Sequence, residues 1–217
     1  MWNVLINYHQ LLLQGFLTTL KLLGSIILIG VPLGTLLGVI GGRHSPELGK
    51  IIKGARFVTK VVPVLVLLFW LHFPLQGLLG VVVDPFWTTI VALGLINMIS
   101  TAHIVTTELE LLPKAYREAG TTLGMTKNQI TKYIELPLLL RRVMPQLLLN
   151  QAAMLEYTLF ASLISVPELF RVAQTINAMV YKPVAIYSLL VIFFLAILAP
   201  LHLSVSWFQK KYANQYA

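Results

Sequence analysis

Residues 184–208 read VAIYSLLVIFFLAILAPLHLSVSWF, twenty-five positions without one Asp, Glu, Lys or Arg. As a helix rising ~1.5 Å per residue, such a stretch outreaches a hydrocarbon core about 30 Å thick. Four other apolar stretches accompany it, at 16–42, 61–83, 86–107 and 143–166. Two of them, 61–83 and 86–107, also lack all four charged residue types. The first contains Lys21 near one end, where a lysine can snorkel. The fourth contains Glu156. A soluble protein can bury one or two such helices, but not five in 217 residues. Composition agrees, with 57% hydrophobic residues, 11% charged and a mean hydropathy of +0.81. Soluble domains carry about 25% charged residues. The sequence therefore predicts an all-α integral membrane protein, one domain over 1–217 with five transmembrane helices. It has no cysteine, which excludes a disulfide framework, a Cys-based zinc site and a thiol nucleophile.

The formal charge is +8, and the distribution of basic residues predicts orientation. Arg43, Lys50, Lys53, Arg56 and Lys60 follow the first stretch. Lys114, Arg117, Lys127, Lys132, Arg141 and Arg142 lie between the third and fourth, and Lys210 and Lys211 are in the tail. Lys21, Arg171 and Lys182 remain for the other side. The richer side is expected to be cytoplasmic, with the N-terminus outside and the C-terminus inside. The first twenty residues carry no Lys or Arg, so a cleaved signal peptide is not expected and the first stretch is read as a retained helix.

The segment 111–142 is too polar to span and too patterned for a slack linker. Pro113 suits a helix start. Lys114 to Leu123 reads as a short helix ending at Gly124, a natural left-handed C-cap. Thr126 is an N-cap for a second short helix, Lys127 to about Glu135, expected to stop at Pro137. Such a compact pair is either an interfacial hairpin or a docking knob for a soluble partner.

Residues in this segment carry a family resemblance. Glu118-Ala119-Gly120, three residues, Gly124, nine residues, then Ile134-Glu135-Leu136-Pro137 resembles the EAA motif of permease subunits in bacterial ABC importers. The one departure is Gly120 in place of the second alanine. The run Leu12-Leu13-Gln14-Gly15-Phe16-Leu17-Thr18-Thr19-Leu20 is similar to the opening of polar-amino-acid permeases. Thr158, Ser162, Ile164, Val166, Pro167, Glu168 and Leu169 resemble another stretch of that family. The resemblance implies a multi-pass subunit of the bacterial inner membrane. Its partners would be a second permease copy or a homologue, an ATP-binding subunit dimer and an external solute-binding protein. The pathway would carry an amino acid or similar small polar solute. The knob would be the coupling helix, with Glu118, Ala119, Gly120, Gly124, Ile134, Leu136 and Pro137 serving contact with the ATPase. Glu118 and Arg117 would meet the rim of the ATPase cleft, and small Ala119 and Gly120 would enter it.

No catalytic equipment is legible. The chain has no phosphate-binding loop of the G-x-x-x-x-G-K-[ST] kind, and its five histidines show no metal-ligand spacing. ATP and its magnesium are expected in the partner ATPase, with no cofactor, metal or nucleic acid on this chain. Gly30, Gly34 and Gly38 are spaced for close helix packing in lipid.

Glu156 is expensive at membrane depth, at about 2.5–3.5 kcal/mol. It is either hydrogen-bonded in the bundle or faces a wet cavity where a cationic group arrives. Tyr157 adjoins it but points about 100° away. His72 and His103 are further candidates for the pathway, and Asn97 and Ser100 near His103 make a wet face plausible. Asn150 and Gln151 read as interhelical hydrogen-bonding groups. Glu156 and Tyr157 stand where the family commonly carries Lys-Asp, and His103 where it carries glutamate, which puts a standard amino-acid substrate in question. Lys60 replaces an arginine of the family pattern, while Pro63 keeps its proline. Two other classes fit the composition, a self-contained oligomeric secondary transporter and a membrane subunit without a pathway.

Overall fold

The computed structural model describes residues 2–213; position 1 and positions 214–217 of the expected domain lie outside it. The described residues are helical almost throughout, with no strand. Helix α1 spans Trp2–Arg43, well beyond the apolar core that announced it, with a kink at Tyr8. Helix α5 (Pro85–Glu110) starts from an Asp84 N-cap that accepts from the Phe86 N–H, and it packs parallel along α1. The glycines of α1 make that contact. A Cβ on Gly30 would lie 2.7 Å from Asn97, on Gly34 2.5 Å from the Met98 carbonyl, and on Gly38 2.7 Å from Val105. The close approach lets Thr106 Oγ1 donate to the Gly38 carbonyl and Asn97 Nδ2 to the Ile26 carbonyl.

The second apolar stretch, expected as one helix over 61–83, is broken. Helix α2 (Pro46–Val61) occupies the basic segment between the first two apolar stretches, capped by Ser45, whose hydroxyl accepts from the Leu48 N–H. Pro63 ends it, since a proline cannot continue the ladder and pushes the preceding residue out of helical geometry. Helix α3 (Val64–His72) follows, then α4 (Pro74–Leu79), which starts at Pro74. The two halves, 46–61 and 64–79, meet at 94°, and counted together as one bent crossing they bring the candidate spans from four to five. Four unbroken runs are long and apolar enough to cross alone, at Val4–Arg43, Pro85–Glu110, Lys127–Ile164 and Pro183–Lys210.

The knob consists of α6 (Lys114–Thr122) and α7 (Lys127–Ile130). Its second helix does not stop at Pro137. A π-helical turn at Thr131–Glu135 carries the chain directly into α8 (Leu136–Thr158). The widened turn relieves the clash that Pro137 would impose on a regular α-ladder. The apolar stretch 143–166 thus starts seven residues into α8 and ends in a 3-10 turn, Leu159–Ile164. A left-handed Ser165 ends that turn, and α9 (Leu169–Val180) fills the segment between the last two apolar stretches, to which the sequence assigned no element. Helix α10 (Pro183–Ala213) makes the last crossing.

Two apolar clusters fix the end of the bundle away from the knob. Leu22, Ile26, Leu68, Leu93 and Met154 join α1, α3, α5 and α8. Val4, Leu169, Ile176, Ile186 and Leu190 join α1, α9 and α10. Outward faces stay apolar, as at Leu28 and Leu195, because lipid rather than water surrounds them.

The glycine stripe gives a test with an internal control. Gly34→Ala pushes a methyl group against the α5 backbone, an overpacking worth about 1–3 kcal/mol. Gly24, on the same helix, has nothing within 4 Å of an added Cβ. Thermal unfolding in detergent is expected to show a lower Tm for Gly34→Ala and no loss for Gly24→Ala. Equal midpoints would refute the close-packing account.

Candidate functional site

The knob is built by local chemistry. Gly124 has φ +74, a conformation that L side chains adopt only under strain. There the Gly124 N–H donates to the Thr121 carbonyl and the Met125 N–H to the Gly120 carbonyl, the paired bonds of a Schellman end. Two residues on, Thr126 and Gln129 form a reciprocal capping box. Glu118 and Ala119 are exposed on α6, as a docking surface requires. Gly120 is not. An added Cβ there would lie 2.8 Å from Ile130 Cγ1 and 3.3 Å from Ile134 Cδ1, so Gly120 and Ile134 close the knob on itself. The expectation that Gly120 enters a partner cleft is corrected accordingly. Leu136 is exposed and Pro137 half-buried at the start of α8, and neither redirects the chain.

One residue at the centre of this site was not singled out from sequence. Glu135, 6% exposed, accepts from Arg117 Nε at 3.0 Å and Nη2 at 2.7 Å through one oxygen. The other oxygen accepts from Arg43, at the end of α1, and from Thr131. Burial alone would raise its pKa. The Arg117 hydrogen bonds and the charges of Arg43 and Arg117 outweigh that and hold the carboxyl below the usual glutamate range. With the folded-state pKa depressed, this contribution to stability is present above the unfolded-state value and is lost only as pH falls through the folded one. Beside the clasp lies a cavity of about 490 Å³ lined by Gly42, Leu109, Arg117, Lys127 and Thr131. At this cavity the Glu135 ion pairs join the knob to the end of α1.

A second ionic join lies close by. Glu108 on α5 accepts from Arg142 Nε at 2.7 Å and Gln146 Nε2 at 2.6 Å on α8. Deeper in the bundle, Asn97 is fully buried. Its Oδ1 accepts from Asn150 Nδ2 at 2.7 Å and Gln151 Nε2 at 3.2 Å, which makes Asn150 and Gln151 interhelical hydrogen-bonding groups.

The four depth-placed candidates do not form one site. His72 ends α3 near the far end of the bundle, with Nδ1 3.3 Å from both Thr88 Oγ1 and Gln76 Nε2. The second helical stretch starts at Pro46 rather than at 61, which leaves His72 toward its end instead of midway along it. Along α5, His103 lies about 22 Å from the level of Thr88. His103 is half-buried, and its Nδ1 has no hydrogen-bond partner among the described residues. Of the two groups expected to make a wet face beside it, Asn97 is buried in the helix contact and Ser100 Oγ accepts from Arg56. Tyr157 packs against the first apolar cluster and stacks on Phe160, with ring centroids 6.1 Å apart. Glu156 points the other way and is exposed on the single chain.

The acidic residues as a set sharpen this. Asp84 and Glu168 cap helices, the latter accepting from the Phe170 and Arg171 N–H groups. Glu47, Glu108, Glu110 and Glu135 form ion pairs. Of the eight acidic side chains, only Glu118 and Glu156 have no partner among the described residues.

Comparison with known proteins gives a consistent picture. Residues 30–214 match the family described as binding-protein-dependent transport system inner membrane component. The histidine/lysine/arginine/ornithine transport system permease protein HisQ of Escherichia coli K12 is 27% identical over 191 residues, covering 83% of each chain. The glutamine transport system permease protein GlnP of the same organism is 27% identical over 201 residues, covering 90% of each. A crystal structure of an amino acid ABC transporter with histidines superposes with a TM-score of 0.83 at 21% identity, covering 97% of this chain and 98% of that one. The methionine transporter MetNI in an inward-facing form gives 0.65 at 20% identity, covering 92% and 97%.

The clasp generates its own expectation. Glu135→Gln leaves Arg43 and Arg117 without a counter-ion, a loss of about 1–3 kcal/mol. Trypsin cleavage in the knob, at Arg117 or Lys127, is expected to accelerate about tenfold at neutral pH. Arg117→Gln, scored at Lys127 because the substitution removes the other site, is expected to have a smaller effect there, because that arginine is largely exposed and Arg43 still pairs with Glu135. Unchanged cleavage of Glu135→Gln would show that the clasp does not hold the knob.

Proposed function

The chain belongs to the binding-protein-dependent transport system inner membrane component family, and from that premise we propose that this ABC importer permease carries amino acids, admitting a positively charged group of the solute at Glu156. Family membership places it in the inner membrane and sets aside the self-contained carrier and the subunit without a pathway. A permease of this kind works with an ATPase and an external binding protein. Their arrangement here is proposed as two ATP-binding subunits, holding ATP and magnesium, beneath a pair of permeases.

The observation that carries the reading is the pair of unpartnered carboxylates. A protein that has paired or capped its other acidic side chains leaves two open, one at the knob and one at depth. Glu118 is solvated and available to an ATPase surface. Glu156 lies at a depth where an unpaired charge costs about 2.5–3.5 kcal/mol, so its open face suits a water-filled path shared with the second permease. The names of the two relatives support amino acids as the solute class. Glu135 joins the knob end to α1, and Glu108 and Asn97 join α8 to α5 at successive depths, so knob movement would reach Glu156 along one continuous helix.

Reconstituted complexes separate the two roles. Glu118→Lys is expected to reduce solute-stimulated ATP hydrolysis severalfold without altering membrane insertion. Glu156→Gln keeps size and hydrogen bonding, and is expected to impair solute accumulation far more than basal ATP hydrolysis. Normal transport by the Gln variant, with assembly lost only in Glu156→Leu, would make the residue structural. The proposed orientation, knob inside and N-terminus outside, rests on the basic residues gathered at the knob end. The chain lacks cysteine, so Thr126→Cys and Asp84→Cys can be probed in intact cells with an impermeant thiol reagent. Labelling at 84 and protection at 126 are expected, and the reverse would invert the topology.

A further inference from the structure

Lys53, Arg56 and Lys60 are spaced three and four residues apart, so they share one face of α2. Their surroundings differ sharply. Lys53 Nζ pairs with Glu110 Oε2 at 2.7 Å, at the knob end of α5. Arg56 Nη1 instead donates to Ser100 Oγ at 2.9 Å. Ser100 lies about 15 Å further along α5 than Glu110, whereas Arg56 is only about 4.5 Å further along α2 than Lys53. The Arg56 side chain therefore reaches away from the near water and toward the membrane interior. A long cationic side chain in a span normally does the opposite and snorkels outward. At its destination it meets a neutral hydroxyl, with no carboxylate paired to it among the described residues. A guanidinium has five donors, and one hydroxyl leaves most of them unused.

The cost of that placement calls for a water-filled space and an anion that visits it. From the Asn97–Gln151 contact, Glu156 is displaced toward the far end and Ser100 toward the knob end, putting the two groups about 12 Å apart in depth. We infer that Arg56, with Lys60 one turn above it, is a second station of the pathway that binds the carboxylate of the amino acid on the knob side of Glu156. The planar guanidinium fork matches a carboxylate bidentately, which a lysine cannot do as well. Ser100 positions the fork, and Lys53 is excluded from binding by its own pairing with Glu110. A solute leaving Glu156 toward the knob thus meets a charge of opposite sign, suited to the other end of a zwitterion.

The inference rests on the amino-acid reading above, and its test separates the two. Proteoliposomes with the permease, its ATPase and its external binding protein are first supplied with each proteinogenic amino acid. If the wild type accumulates none, the amino-acid reading itself fails. Otherwise the amino acid accumulated fastest is used in radiolabelled form for equilibrium binding to the permease–ATPase complex in nanodiscs, without binding protein. Unlabelled amino acid and its decarboxylated amine compete for the label. In the wild type the amine is expected to compete at least about tenfold more weakly, as loss of a charge-assisted pair implies. Arg56→Ala is expected to bring the two competitors together, and Arg56→Lys to retain part of the difference. A thermal melt of each variant checks assembly, and Arg56→Gln, which can still donate to Ser100, serves if the alanine variant fails to assemble. An assembled Ala or Gln variant that keeps the wild-type ratio, or a wild-type complex that binds no label, overturns the carboxylate station.

Discussion

The absence of side chains at Gly30, Gly34 and Gly38 is the constraint on which the rest depends. It lets α1 lie backbone-close to α5, near enough for Thr106 and Asn97 to bond to α1 carbonyls. In lipid there is little hydrophobic drive between helices, so such contact and the hydrogen bonds it permits supply the association. Once α1 and α5 are one unit, Asn97 has a fixed place from which to hold Asn150 and Gln151 of α8. Glu108 and Glu135 then fasten the knob end of α8 to α5 and α1 respectively. Three polar joins at successive depths thus register one long helix against a rigid pair.

That register explains why the π-turn matters. A regular helix from Lys127 through Leu136 would have met Pro137 with a clash and a missing donor. The widened turn absorbs the proline, and Glu135 within it becomes the acceptor for two arginines from elsewhere in the chain. Proline here permits continuity rather than ending it. The knob and the membrane helix behave as a single lever whose root is ionic and whose upper part is amide-bonded.

How much was legible in the sequence follows from the range of each interaction. Gly124, Thr126 and the first knob helix were readable because their bonds join residues at most five apart. The four unbroken crossings were readable because lipid imposes length and apolarity on any helix that traverses it. Helix α2 was not, since its cations made it look like a solvated loop, and neither was α9, whose segment carries no span-length apolar run. Glu135 was quoted within the motif, yet its role depends on Arg43, 92 residues earlier, for which no spacing rule exists. Gly120 was misassigned for a related reason. Small size suits both an external cleft and an internal contact, and only the position of Ile130 decides between them.

The charges obey one logic at both ends of the lever. Where a buried acidic group serves structure, the chain supplies its partner itself, an arginine for Glu108 and Glu135 and two backbone N–H groups for Glu168. An uncompensated charge inside the bundle would weaken the fold unless a partner or solvent reached it. Glu156 and Arg56 break the pattern together, with opposite signs, on different helices and at different depths. Two accidents of packing would have no reason to be complementary. A pathway for a zwitterion requires that complementarity, and it requires that neither group be satisfied in advance by the protein. The open valences are therefore the expected mark of a route, just as the closed ones are of a joint.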